Sequence, residues 1–258
     1  IDFAGSSVVH SVGGWLALAG IIVLGPRIGR FAPDGTPRLI AGHNLTLVTL
    51  GGFILWLAWF GFNAGSTLTS SGNLGKIMLN THLAGVSAVT AYLVISGVMR
   101  KAILLSDTVN ISLAGLVAIT AGCATMSPVY AIVTGVGACL AYLAVKRLLD
   151  KVQMDDAVYA VAVHVGGGVW GTLAAGLFYE GDLFSTQRII VQLMGIGAMF
   201  VWSFGLGMVV YFVIEKTIGL RVLAQHEQRG LDFTEHAEGA YPEFQDSLFS
   251  QQTLTERH

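Results

Sequence analysis

The sequence predicts an all-α polytopic integral membrane protein, and three observations carry that prediction. Hydrophobic residues make up 53% of the 258 and charged residues only 12%, with a mean hydropathy of +0.67; soluble domains carry roughly 25% charged residues. Seven apolar segments approach the ~20 residues that cross a bilayer as a helix. The connectors between them are short and polar. Helix is the expected form, because hydrocarbon offers no water to backbone N–H and C=O groups. The 33 glycines fit this class, since small residues let membrane helices approach closely.

The expected spans run over 3–25, 44–66, 77–99, 109–126, 128–146, 156–178 and 187–216. The fourth and fifth meet the length requirement only loosely. Pro128 separates them, and proline sits well at a helix start. Alternate connectors face opposite sides of the membrane. Placing the first, third and fifth connectors and the tail on one side collects 12 of the 14 Lys and Arg there, leaving Lys76 and Arg188 opposite. The positive-inside rule makes the rich side cytoplasmic. The chain then enters from outside at Asp2, and its C-terminus is cytoplasmic. It opens without Met and inside a motif, so it is expected to be part of a longer protein.

Two stretches repeat one pattern. Asp2 is followed by seven residues, His10, two residues and Gly13-Gly14; Asp156 is followed by seven residues, His164, two residues and Gly167-Gly168. The first and sixth spans run in opposite directions under the orientation above. Each histidine then sits about two helical turns below its own surface, and the two converge near the membrane middle. Inverted repeats of this kind place their site at the repeat interface.

Ionisable residues inside a span are costly, so His10 and His164 are the leading functional candidates; the bland alternative is a buried histidine bonded to a neighbouring backbone group. Imidazole can give or take a proton, share a hydrogen bond or bind a metal. A haem or metal pair lacks any nearby Cys or carboxylate in sequence, and no cofactor is expected. Asp2 and Asp156 suit the capping of free helix N–H groups, and Asp2 equally suits cation attraction at an outer entrance. Trp59 and Phe62 lie three apart on one helix face. They read as interfacial belt aromatics or, with the Ser66 hydroxyl, as a cation-holding face. His43 and His82 read as structural. Cys123 and Cys139 have no redox or metal spacing. A net charge of −2 points away from a nucleic-acid partner.

Taken together these residues resemble the Amt/Mep/Rh ammonium transporter family, its Amt branch in particular. The carriers are Asp2-Phe3-Ala4-Gly5 through His10, Trp59 through Ser66, Leu116 through Cys123 with Pro128, Asp155-Asp156 through His164, and Gly219 through Asp232. The resemblance implies an eleven-helix inverted-repeat fold of which this chain supplies the last seven helices. It implies a homotrimer in the plasma or inner membrane, with one pore per subunit and no enzymatic activity. His10 and His164 would be the twin pore histidines, hydrogen-bonded through their rings. Phe62 would be an outer gate ring and Trp59 a pore-wall ring, while Ser66 and Asp2 would serve ammonium recruitment. Ammonium would lose its proton near the gate, and ammonia would pass the histidines. Residues 1–218 would form the transmembrane domain. Residues 219–258 would form a cytoplasmic tail that can meet a P-II-type regulatory protein. Val165, Tyr159 and Leu223 depart from the family's usual pattern. The Asp155-Asp156 segment and Trp170 through Ala174 also resemble members fused to signalling domains, which keeps an ammonium sensor as the alternative.

Overall fold

The computed structural model describes residues 1–70, 73–239 and 241, and the regular elements among them are all helices. Helix α1 spans Ser6–Leu24, α2 Leu45–Gly65, α3 Leu74–Val98, α4 Leu105–Ile119 and α5 Pro128–Lys151. Helix α6 spans 162–177, α7 Thr186–Thr217, and two short helices follow, α8 (Ala224–Arg229) and α9 (Leu231–His236). Ser71 and Gly72 of the second connector, and Glu243, Asp246 and Arg257 of the expected tail, lie outside the described residues.

Each of the seven expected spans contains a helix, but five are long and apolar enough to cross a bilayer: α1, α2, α3, α5 and α7. Helix α4 has 15 residues, and α6 has a 5-residue π turn followed by 11 α-helical residues. The fourth expected span, 109–126, is thus corrected at both ends. Its helix begins at Leu105, stops at Ile119 and gives way to a buried turn before Pro128 opens α5. The break is supported from a distance: Asn80 Nδ2 on α3 donates to Cys123 O and Met126 O at 2.9 Å each. Carbonyls freed by a broken helix inside a protein must find such a partner. Surrounded by other helices, α4 is the core of the bundle, and Ala114 and Leu116 through Ile119 are fully buried.

Close backbone approach holds this core together. A Cβ on Gly135 would lie 2.2 Å from Ala84 O, and one on Gly115 would lie 2.6 Å from the same atom. Helices α3, α4 and α5 therefore meet at Ala84 with no room for a larger side chain. Along the outside, α7 packs on α1 through Gly207 against Leu16 and Ala19, and Trp15 meets Phe200 edge-on at 4.7 Å.

The two repeated stretches fold alike. Asp2 Oδ2 accepts hydrogen bonds from Ser7 N (3.0 Å) and Val8 N (2.9 Å). Asp156 Oδ2 accepts from Val161 N (2.8 Å) and Ala162 N (3.1 Å). The same offsets recur, and both aspartates cap their helix as the sequence suggests. Both helices open with a π turn, Ser6–Ser11 and Ala162–Gly166, and each turn carries its histidine. The crossing is reciprocal. A Cβ on Gly14 would lie 2.8 Å from Val165 N, and one on Gly168 would lie 2.3 Å from Ser11 Oγ and 2.5 Å from Ser6 O. Each glycine thus packs on the residue that follows the other repeat's histidine.

At the end where α1 and α5 finish, arginines fix the approach to α6. Arg27 donates to Asp155 through Nε (2.7 Å), Nη2 (2.9 Å) and its backbone N (3.0 Å). Arg30 reaches Asp155 at 3.2 Å and Asp150 at 2.5 Å. Burial alone raises the Asp155 carboxyl, but hydrogen bonds from Arg27 and the charges of Arg27 and Arg30 outweigh it and hold the group below its ordinary value. The described part of the tail docks on the same loop. Arg221 Nη1 donates to Leu24 O (3.1 Å), and Glu227, paired with Arg221, accepts from Ile28 N (2.8 Å).

Gly14→Ala and Gly168→Ala are each expected to cost ~1–3 kcal/mol by overpacking a backbone contact, measured by unfolding in detergent. Gly195→Ala, where a Cβ meets nothing within 4 Å, should be close to neutral. The depressed Asp155 carboxyl stabilises the fold fully above about pH 4, its unfolded value. That contribution is lost as pH falls through the lower folded value. Asp155→Asn should flatten the acid limb of a stability–pH series.

Candidate functional site: a histidine pair between the repeats

The reciprocal crossing brings His10 and His164 together. Their ring centroids are 5.3 Å apart and their planes 14° from parallel. His10 is 8% exposed and His164 partly buried. Trp59 from α2 stacks on the other side of His10 at 5.0 Å and 19°. Phe62, one turn later, reaches His10 at 5.6 Å and Trp59 at 5.7 Å. Four of the six expected site residues thus form one aromatic cluster. Its open side is Phe62, 41% exposed, whereas Trp59 is 7% exposed.

The other two stand apart from it. Ser66 follows α2 one turn beyond Phe62, and its hydroxyl donates to Phe62 O at 2.8 Å. Asp2 turns one carboxylate oxygen into the helix start; its Oδ1 is buried with no hydrogen-bond partner. The ring-to-ring hydrogen bond that the resemblance implies is not formed here. His10 Nε2 and His164 Nδ1 are both buried without a partner. Each imidazole therefore keeps an unused donor or acceptor, the group a small polar molecule would engage. No group of three or more metal-ligating side chains occurs among the described residues.

The residues that hold this cluster were not legible as site residues. Trp59 Nε1 donates to Thr120 Oγ1 at 3.0 Å, and Thr120 in turn donates to Leu116 O at 2.7 Å. Thr120 sits where α4 stops, so the helix break frees it to orient the indole. Phe3 N and Ala4 N donate to Ala121 O and Thr120 O at 2.9 and 3.0 Å. Ser6 Oγ donates to Val117 O and accepts from Ala121 N, both at 2.7 Å. The break in α4 is therefore the anchor for the first histidine's helix and for the tryptophan stacked on that histidine. Ser7 Oγ lies 2.6 Å from Thr172 Oγ1, which donates to Gly168 O; Ser7 is then the donor, and the bond joins the two repeats. Ser6, Ser7 and Thr120 lie in stretches that carry the family resemblance, but the sequence marks no role for them; Thr120 reads only as a hydroxyl near the end of an apolar helix, ahead of Gly122 and Pro128.

The profile of the Ammonium Transporter Family matches residues 1–241. The chain belongs to the ammonium transporter family. Ammonium transporter Amt2 of Archaeoglobus fulgidus is 41% identical over 260 residues, covering 95% of this chain and 56% of that protein. Ammonium transporter 1 member 4 of Arabidopsis thaliana is 35% identical, covering 96% and 56% respectively. Among solved structures, that of a protein named Sensor Amt Protein superposes with a TM-score of 0.87 at 42% identity, covering 91% of this chain and 60% of that one. Mep2 of Candida albicans superposes at 0.77 with 26% identity, covering 86% and 52%. The chain spans about half the length of the ammonium transporters it matches. These relatives are named as transporters, not enzymes.

Thr120→Val removes the acceptor of a buried indole N–H. Unfolding in detergent should record a loss of ~1–3 kcal/mol with altered tryptophan emission. Thr120→Ser, which keeps the oxygen, should restore both.

Proposed function

We propose that this chain supplies the histidine-bearing half of an ammonia pore and that the protein containing it transports ammonium across a membrane. The observation that carries this reading is the His10–His164 pair at 5.3 Å, walled by Trp59 and Phe62 and held between two repeated helices. Membership of the ammonium transporter family supports it.

The chemistry follows from the surroundings. Moving a compact cation from water into a medium of low dielectric costs on the order of 20 kcal/mol in the idealised limit. Neutral ammonia avoids that cost. Aromatic faces such as Phe62 and Trp59 attract ammonium, with the Ser66 hydroxyl and the Asp2 carboxylate serving recruitment. Ammonium hands its proton to water beside the exposed Phe62, and ammonia then meets the free nitrogens of His10 and His164, which can donate or accept a hydrogen bond. Potassium cannot shed charge in this way, so it is rejected. The reading includes seven membrane-spanning helices over residues 1–218 and a homotrimer in the plasma or inner membrane. It also includes a cytoplasmic tail over 219–258 that can receive a P-II-type regulator.

The test uses the gene product containing this chain, reconstituted in proteoliposomes. An ammonium jump should produce a current or internal pH change that potassium does not. His10→Ala and His164→Ala should each change flux several-fold or relax the preference for ammonium over potassium; both variants behaving as wild type would remove the histidine mechanism. Ammonium binding without any flux would favour the sensor reading, the role carried in the name of one structural neighbour, Sensor Amt Protein.

A further inference from the structure

A second constellation, away from the histidines, is built for an ammonium group. It lies at the arginine-rich end of the bundle, where α5 finishes and α4 and α6 begin. Asp107, in the first turn of α4, is 5% exposed. Its Oδ1 accepts the Tyr142 hydroxyl at 2.7 Å and Lys146 Nζ at 2.5 Å. The same Nζ lies 4.3 Å from the centroid of the Tyr159 ring and 6.0 Å from that of Tyr142. The two rings stand 6.2 Å apart at 67°, so they form two walls of a corner. Tyr159 has a φ of 59°. A left-handed backbone is strained for a bulky residue and tends to mark a functional position. Here it accompanies a ring set over the amine.

A buried carboxylate, a hydroxyl that orients it and two aromatic faces are the elements that recognise a primary ammonium. The carboxylate and both rings converge on one nitrogen, and that nitrogen belongs to the chain. We propose that Asp107, Tyr142 and Tyr159 form a binding site for small primary ammonium ions whose resident ligand is the Lys146 side chain. Removing that amine leaves a site that takes up free ammonium, methylammonium or n-propylammonium. This site does not depend on the transport reading, because it uses none of His10, His164, Trp59 and Phe62 and is tested through stability.

The test is chemical rescue in the gene product containing this chain. Lys146→Ala strands the Asp107 carboxylate, and its thermal midpoint in detergent should fall. n-Propylammonium matches the Cγ-to-Nζ fragment removed. It and methylammonium chloride should raise the midpoint by about 3 °C or more beyond their effect on wild type. Potassium chloride and tetramethylammonium chloride should not. Adding Asp107→Asn should abolish the rescue. Equal stabilisation by potassium, or no rescue by any primary amine, overturns the proposal. If Lys146→Ala folds only when prepared in methylammonium chloride, the site is supported; recovery in potassium chloride alike, or in neither salt, overturns it.

Discussion

A backbone amide or carbonyl out of reach of water must find its partner inside the protein, and this requirement shapes each departure from regular helix in the bundle. At both repeat starts an aspartate oxygen takes two N–H groups, from Ser7 and Val8 and from Val161 and Ala162. Where α4 stops, Asn80 takes two carbonyls and Ser6 takes one more. The breaks and their satisfying side chains are not scattered. The two aspartate caps hold the π turns that carry His10 and His164, and the end of α4 holds Trp59 through Thr120, so polar groups that make irregular backbone tolerable also position the candidate rings.

The proposed transport chemistry uses two imidazoles at a fixed spacing inside an apolar wall. The repeat provides the spacing by symmetry, since each histidine occupies a π turn and each turn is met by the other repeat's glycine. The wall is provided by α2, whose Trp59 is set by a hydrogen bond to the broken end of α4. Helix α4 is thus more than filler. It is too short to be counted as a span on length, yet it holds Trp59 through Thr120 and the first π turn through Val117 and Ser6.

Much of this was legible in the sequence for stated reasons. Low charge and long apolar runs forced helices, and five of the seven expected spans have the full length and character. The Asp–His–Gly-Gly repeat appears as a repeated geometry because the second glycine of each pair, Gly14 and Gly168, is needed where the two repeats meet. The rest depended on partners distant along the chain. Thr120 orients an indole that lies 61 residues earlier, and Asn80 caps a break more than 40 residues later. No local pattern encodes such pairings. The recruitment roles of Ser66 and Asp2 are what the resemblance implies; in the structure each also bonds its own helix, as the capping expectation for Asp2 has it.

The reciprocal seating of Gly14 and Gly168 has a mechanical consequence. The gap between the imidazoles is gauged by main chain resting on or beside main chain, as in a calliper with rigid jaws. Side-chain rotation moves in large steps, whereas such jaws yield only by bending whole helices. The pair is therefore held to a narrow tolerance, whichever rotamer the neighbouring phenyl ring of Phe62 adopts.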